Sequence, residues 1–169
     1  MTTERVLEKP GIGELYLQHA DTATRLAYLL TGDQALAEDL MQDAFVKVAG
    51  RLAHVRDPQA FEPYLRKTIV NLSRSHFRRR QVERKYLERM RASNATAVTH
   101  LERPVEERDE LWSRLMTLSP RQRAALVLRF YEDLSEAEVA HVLKCAPGTV
   151  KSLVSRGLEK LRVEIRGEQ

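Results

Sequence analysis

The sequence predicts an all-α protein made of two small helical domains joined by a flexible linker. Apolar residues recur every three or four positions along most of the 169-residue chain, and only 6% of the residues are aromatic. Residues typical of helix starts and helix ends separate these periodic segments. We expect one domain at residues 10–91, a linker at residues 92–108 and a second domain at residues 109–166.

The N-terminal domain is predicted to begin with two amphipathic helices. The first runs from Gly13 to Thr31, where Gly32 ends it and Asp33 caps the next helix. Its buried stripe would consist of Leu15, His19, Ala23, Leu26 and Leu30. The second helix, "QALAEDLMQDAFVKVA", places apolar residues on one side. Its other side displays Glu38, Asp39, Gln42, Asp43 and Lys47.

A strongly basic helix is predicted to follow from Pro63, with a break near the arginine triplet at residues 78–80. Residues 64–91 carry 10 basic and 2 acidic side chains, an electrostatic footprint suited to phosphates. The predicted buried stripe is Leu65, Ile69 and Leu72, and the opposite face carries Lys67, Asn71, Arg74 and Arg78. Aromatic Tyr64, His76 and Phe77 are interleaved with these charges, and such rings either stack on unpaired bases or belong to the core.

The C-terminal domain has the pattern of a helix-turn-helix unit. Residues 92–108 lose the helical periodicity and are small and polar, which favours a linker. Ser119 and Pro120 then start a helix whose buried stripe would be Ala124, Leu128 and Tyr131. Ser135 and Glu138 form a capping box for a short helix. A turn of about four residues leads to a last helix from Pro147 to about Arg166.

This last helix has the residues of a recognition helix. Its inward face would be Val150, Val154, Leu158 and Leu161, and Gly157 would allow close packing against the preceding helix. Its outward face carries Thr149, Lys151, Ser152, Ser155 and Arg156. Lysine and arginine reach phosphates and guanine edges, while serine and threonine bond without blocking approach. An ordinary solvated helix can show the same residues, so the DNA-binding prediction depends on the complete helix-turn-helix arrangement.

Several function classes are not supported by the sequence. Cys145 is the single cysteine and is expected to be a small buried apolar residue. We find no metal cluster, no phosphate-cradling glycine loop and no nucleophile with a base, so we expect no enzymatic activity, no metal and no cofactor. No stretch has the roughly 18 apolar residues of a membrane span, and the N-terminus lacks a signal peptide. We therefore expect a cytoplasmic protein without membrane insertion.

Nearly the whole chain resembles a sigma factor of bacterial RNA polymerase, of the small extracytoplasmic-function group that keeps two conserved domains. The segment "AEDLMQDAFVKV" is similar to the part that grips the polymerase clamp helices, and "YLRKTIVNLSRSHFRRR" to the part that melts and reads the minus-ten element. The segment "LSPRQRAALVLRFYEDLSEAEVAHVLKCAPGTVKSLVSRGLEKLR" is similar to the family's fourth conserved region, which reads the minus-thirty-five element. The order and spacing of the three segments make the resemblance specific.

The resemblance implies roles for individual residues. Core polymerase would be bound by Asp39, Gln42 and Asp43. The minus-ten DNA would be bound by Tyr64, Lys67, Asn71, Arg74, Phe77, Arg78 and Arg79, and the minus-thirty-five DNA by Thr149, Lys151, Ser152, Ser155 and Arg156. Two positions depart from the family pattern: Ser75 stands where an aspartate is frequent, and Leu153 where an arginine is common. They put local base preference and one phosphate contact in doubt.

The implied partners are core RNA polymerase, through its clamp helices and flap, and promoter DNA, as duplex and as melted single strand. An anti-sigma protein is a further candidate partner, and the chain is expected to act as a monomer in the holoenzyme. Two other functions are compatible with parts of the sequence. One is a free-standing helix-turn-helix regulator with an N-terminal sensor or dimerisation domain, and the other is a polymerase-docking adaptor that does not bind DNA.

Overall fold

The fold is taken from a computed structural model that describes residues 10–51, 58–93 and 110–167. These residues form helices without any strand, which confirms the predicted all-α class. The α-helices are α1 (Ile12–Thr31), α2 (Gln34–Ala49), α3 (Phe61–Ser93), α4 (Glu110–Thr117), α5 (Pro120–Leu126), α6 (Glu136–Leu143) and α7 (Pro147–Gly167). The chain divides into two compact units, Met1–Ile69 and Val70–Gln169. Most of the expected linker lies outside the described residues, and the domain limits drawn from the sequence stay a prediction.

In the first unit α1 and α2 form a helical hairpin whose tight connection was correctly predicted. Gly32 adopts the left-handed conformation, with φ 72°, and its N–H donates to the carbonyl of Tyr28. The Asp33 carboxylate then accepts from the N–H of Leu36 at 3.1 Å and caps α2. The buried side chains of α1 include Leu15, Ala23, Leu26 and Leu30 of the predicted stripe. His19, the remaining member of that stripe, is only half-buried.

Phe61 anchors the start of α3 in the core of the first unit. Its side chain is 1% exposed, and its ring lies 5.3 Å from the ring of His19 and 5.6 Å from that of Phe45. A 3-10 turn at Pro58–Ala60 leads directly into this residue. The helix therefore begins two residues before the predicted Pro63, because burying the Phe61 ring brings its backbone into the first turn.

The α3 helix continues for 33 residues, so the predicted break near the arginine triplet is wrong. Beyond Pro63 the helix contains neither proline nor glycine, and arginine is a good helix former. Two i, i+4 ion pairs support it, Glu62 with Arg66 at 2.8 Å and Arg84 with Glu88 at 3.6 Å. Of the predicted buried stripe, Leu65 and Ile69 are buried and Leu72 is half-buried.

In the second unit α4 to α7 form a small core beneath α7. Both predicted helix starts are confirmed: Ser119 and Ser135 each accept from the N–H three residues on, within complete capping boxes. α5 and α6 pack against α7. Buried apolar side chains include Trp112, Leu115, Leu118, Leu126, Leu128, Val139, Leu143 and Val150.

A π-helical turn at Val127–Tyr131 changes the face on which the last residues of this segment lie. A π turn holds more residues than an α turn, so the side chains that follow rotate away from the expected stripe. Ala124 and Leu128 are buried as predicted, but Tyr131 is 42% exposed and the prediction for it is wrong. Cys145, which was also expected to be buried, is half-buried in the turn between α6 and α7.

Gly157 provides a close helix contact, although its partner is not the helix expected. A Cβ atom at this position would lie 2.9 Å from Cδ1 of Leu126, so α7 meets α5 here rather than α6. The inward residue Val150 is buried, while Val154, Leu158 and Leu161 are half-buried.

We predict that Gly157→Ala destabilises the full-length protein by about 1 kcal/mol, because overpacking against buried Leu126 costs more than the helix gains from alanine. Gly148→Ala in the same helix is the matched control, since a Cβ there meets nothing within 4 Å. It should leave the free energy of unfolding unchanged or raise it. Urea titrations followed by circular dichroism measure both, and equal effects of the two substitutions would contradict the close contact.

Candidate protein and nucleic-acid interfaces

An acidic stripe on α2 is the candidate protein-binding surface. Asp39, Gln42 and Asp43 are all exposed, and their i, i+3, i+4 spacing places them on one face of the helix. The opposite face of α2 is buried, including Leu40 and Phe45, so the stripe stands on a helix that the core holds in place. Two carboxylates and an amide at this spacing present acceptors to a basic helix.

The basic face of α3 is the first candidate nucleic-acid surface. Lys67, Asn71, Arg74 and Arg78 follow i, i+4, i+7 and i+11, so they share one face as predicted. Arg78 and the neighbouring Arg79 are exposed, whereas the first three are half-buried. Nη1 of Arg74 donates to the carbonyl oxygen of Leu143 at 2.9 Å, so part of its guanidinium is already engaged within the second unit.

The two aromatic candidates on α3 have different surroundings. Tyr64 is 41% exposed, and its hydroxyl accepts a long hydrogen bond of 3.5 Å from Nη1 of Arg51. Phe77 is half-buried, with the guanidinium of Arg123 over its ring at 5.3 Å and the His76 ring edge-on at 5.7 Å. Tyr64 therefore lies at the surface with a ring that a base can approach, while one face of Phe77 is covered.

Arg123 is a buried cation that the sequence reasoning missed. Its side chain is 4% exposed, and desolvation by burial lowers its pKa to about 10, so that it remains charged at neutral pH. One Nη atom donates to the sulfur of Met116, and no partner among the described residues reaches Nε. Arg123 lies beside the predicted stripe of Ala124 and Leu128 rather than on it, so the apolar spacing of α5 gave no signal of its burial.

The outward face of α7 is the second candidate nucleic-acid surface. Lys151, Ser152, Ser155 and Arg156 are exposed, and Thr149 is half-buried at the start of the helix. The Ser152 hydroxyl donates to the carbonyl oxygen of Gly148 at 3.0 Å. In this rotamer Ser152 offers acceptor lone pairs outward, which suit the amino groups of adenine or cytosine. Leu153, at the position of a frequent family arginine, is half-buried.

Part of the two nucleic-acid sets meets within the second unit. Asn71, Arg74, Phe77 and Arg78 line an open groove of about 1340 Å³ together with Arg156. Arg121 and Lys144 line the same groove and were not among the predicted residues. The sequence gives little sign that these two residues belong to a binding surface. Arg121 follows the proline that starts α5, and Lys144 lies in a turn, in the left-handed conformation with φ 54°. The other four candidates on α7 do not line it.

The described residues contain no group of three or more histidine, cysteine, aspartate or glutamate side chains placed to hold a metal ion. None of the described helices has the length and apolar character needed to cross a membrane.

Comparison with known families matches both halves of the chain. The family described as "Sigma-70 region 2" matches residues 15–83, and the family described as "Sigma-70, region 4" matches residues 108–161. The first match includes the acidic stripe and the basic face of α3, and the second includes the helix-turn-helix unit. A free-standing regulator does not account for the match to region 2. An adaptor that does not bind DNA does not account for the match of the helix-turn-helix unit to region 4.

Two proteins with similar sequences are sigma factors of actinobacteria. The RNA polymerase sigma-E factor of Streptomyces coelicolor is 33% identical over 147 residues, which is 86% of this chain and 80% of that protein. The ECF RNA polymerase sigma factor SigE of Mycolicibacterium smegmatis is 36% identical over 160 residues, which is 90% of this chain and 61% of that protein.

Solved structures share the fold. The sigma factor RpoE from Bartonella quintana, in complex with the anti-sigma factor NepR, has a TM-score of 0.68 and 22% identity over 93% of this chain and 98% of that one. CnrH, in complex with the cytosolic domain of CnrY, has a TM-score of 0.64 and 23% identity over 94% of this chain and 89% of that one.

We predict that the two aromatic candidates differ in their contribution to stability. Phe77→Ala should lower the free energy of unfolding by about 2 kcal/mol, because it removes a half-buried ring and uncovers the Arg123 guanidinium. Tyr64→Ala, the matched aromatic control, should cost less than about 1 kcal/mol because its ring lies at the surface. Thermal and urea unfolding of the two full-length variants test this, and a larger loss for Tyr64→Ala would show that their surroundings have been misassigned.

Proposed function

This chain belongs to the sigma-70 family of RNA polymerase sigma factors, in its extracytoplasmic-function group, and we propose how its surfaces divide the work of initiation. The acidic stripe of α2 binds core polymerase, the basic face of α3 binds and opens the minus-ten element, and α7 reads the minus-thirty-five element. The observation that carries this proposal is the placement of the three residue sets on separate helices, each supported by a buried face.

The acidic stripe suits a basic helix such as the polymerase clamp helices. Asp39 and Asp43 lie one turn apart, and Gln42 between them adds an amide that donates and accepts. Exposed charges of this kind raise the association rate and select the partner more than they raise affinity. The C-terminal domain is expected to meet the polymerase flap, through residues that we leave unassigned.

The basic face of α3 suits a melted promoter strand. Lys67 and Arg78 neutralise phosphates. On single strands, each neutralised phosphate steepens the slope of log affinity against log salt concentration by about 0.7. The Asn71 amide is placed to address a base edge, and the Tyr64 ring at the surface offers a stacking platform worth about 1–3 kcal/mol per base. The strand is held open because the base-edge and stacking contacts are made only with unpaired DNA.

The exposed face of α7 suits a major groove. Arg156 provides the planar fork that reads a guanine edge, and Lys151 is a phosphate contact. Ser152 and Ser155 are small enough for the helix to approach the bases closely. A good bidentate contact contributes about 1–3 kcal/mol of discrimination against the wrong base.

The protein directs the chemistry of polymerase and catalyses no reaction itself. Because it acts on polymerase, it acts in the cytoplasm, where polymerase is found. It needs no cofactor, and one copy serves each holoenzyme. Of the two structures described above, the sigma factor RpoE was solved with the anti-sigma factor NepR, and CnrH with the cytosolic domain of CnrY. A protein of that kind would inhibit this chain by covering the polymerase-binding or DNA-binding surfaces.

We predict that Asp39→Lys combined with Asp43→Lys weakens binding to bacterial core polymerase by at least about tenfold, because both substitutions place like charges against a basic helix. Asp21→Lys combined with Gln18→Lys and Thr22→Lys is the matched control, since all three residues are exposed on α1 and the net charge changes equally. Fluorescence anisotropy with labelled full-length protein measures the affinities. If both sets of substitutions weakened the affinity for core polymerase equally, the acidic stripe would contribute only through the net charge of the protein.

We predict that Arg156→Ala lowers the preference of holoenzyme for promoter DNA about tenfold, with a smaller loss of general affinity, because a base contact is removed. Arg162→Ala is the matched control: Arg162 is exposed on the same helix and pairs with Glu159 at 3.8 Å. Competition binding on a promoter and on the same fragment with a scrambled minus-thirty-five element separates the two effects. An equal loss on both fragments for Arg156→Ala would mean that Arg156 contacts only phosphate.

A further inference from the structure

The C-terminal third of α3 carries large apolar side chains on its surface. Val82, Tyr86, Leu87 and Met90 are 51–63% exposed, and we refer to these four residues as the apolar stripe. None of them belongs to the polymerase-binding or DNA-binding sets described above. Single exposed apolar residues are ordinary on protein surfaces, but four on three successive turns of one helix form a continuous patch of the kind that marks an interaction site.

The spacing of the apolar stripe is that of a helix-packing seam. Val82, Tyr86 and Met90 follow i, i+4 and i+8, and Leu87 widens the same side of the helix. Eight residues of α-helix rise about 12 Å, which is enough for about two turns of a partner helix to pack in ridges and grooves. In the first unit, by contrast, the apolar positions Leu65 and Ile69 of the same helix are buried.

Charges beside the apolar stripe restrict the partner. Residues 80–90 contain four basic side chains, Arg80, Arg84, Lys85 and Arg89, and two acidic ones, Glu83 and Glu88. The Arg84–Glu88 ion pair, at 3.6 Å, internally compensates one charge of each sign. Arg80, Lys85 and Arg89 therefore leave the flanks of the seam basic, with Glu83 as an acidic position inside it, one turn before Tyr86 and Leu87. A partner with acidic residues beside its apolar seam complements these flanks.

We propose that the apolar stripe binds an amphipathic helix of a partner protein whose apolar seam is flanked by acidic residues. Single-stranded nucleic acid would also be drawn to the basic flanks, but it binds proteins through stacking on aromatic rings. Three of the four stripe residues are aliphatic, and only Tyr86 offers a ring. An aliphatic seam at helical spacing suits another helix better than a row of bases.

A synthetic peptide tests this proposal with the full-length protein. The probe is a fluorescein-labelled helix of about 20 residues, with leucine at the seam positions and glutamate beside them. The matched probe has lysine in place of every glutamate. We expect the glutamate peptide to bind with a micromolar dissociation constant in fluorescence anisotropy, and the lysine peptide to bind at least about tenfold more weakly.

Variants locate the binding surface. Val82→Ser combined with Leu87→Ser should weaken the glutamate peptide about tenfold, because two apolar contacts are lost. Val163→Ser, which changes a similarly exposed valine on α7, is the control and should have no effect. Lys85→Gln combined with Arg89→Gln should weaken binding and make it less sensitive to salt. All of these residues are exposed, so thermal unfolding should stay unchanged in every variant.

Three results with the peptides would overturn the proposal. They are an absence of peptide binding at about 100 µM, equal binding of the glutamate and lysine peptides, and equal peptide affinity for the stripe variant and the unmodified protein. A fourth is a loss of oligothymidylate binding on Val82→Ser and Leu87→Ser without a loss of peptide binding, which would assign the stripe to nucleic acid. Because binding is measured without polymerase or promoter, its failure would leave the proposed initiation function unaffected.

Discussion

The packing of Phe61 between His19 and Phe45 is the contact on which the N-terminal function depends. These rings fix the first turn of α3 against the α1–α2 hairpin. The rest of α3 is rich in arginine, and repulsion between those charges opposes any compact arrangement, so the helix needs an apolar anchor at its start. In the first unit this anchor sets the direction of the basic side chains in the first turns of α3, Arg66 and Lys67.

In the helix-turn-helix unit, α7 must likewise be fixed against an apolar core, and helix caps and a glycine do this instead of aromatic rings. Capping boxes at Ser119 and Ser135 fix where α5 and α6 begin, and the absence of a side chain at Gly157 lets α7 approach Leu126. α7 is thereby held against a small core, while Lys151, Ser152, Ser155 and Arg156 remain exposed. Both halves of the protein keep apolar support and polar binding residues on opposite faces of the same helices.

Local signals in the sequence predicted most of the helices because each has a physical cause within a few residues. Gly32 must take a left-handed conformation, Asp33 must cap α2, and Ser135 with Glu138 must close a capping box.

The errors arose where contacts between distant parts of the chain determine where a helix begins or which side chains are buried. The early start of α3 depends on Phe61 reaching rings on two other helices, and the exposure of Tyr131 depends on a π turn that apolar periodicity does not reveal. Burial of Arg123 beneath Phe77 joins residues that are far apart in the chain. Exposure was predicted more easily for the acidic stripe of α2 and for most of the outward face of α7, since polar residues on the outer face of an amphipathic helix have few alternatives. On α3 it was predicted less well, because Lys67, Asn71 and Arg74 are half-buried.

The account rests on one claim: this chain places polymerase at a promoter and opens the DNA there. The most direct measurement is to reconstitute the protein with bacterial core polymerase on a pool of genomic promoter fragments and sequence the 5′ ends of the transcripts, while permanganate maps unpaired thymines. The account predicts defined starts that share two upstream elements, with unpaired thymines at the downstream element. Transcript ends no different from those of core polymerase alone, together with sequence-specific duplex binding by the protein without polymerase, would contradict it.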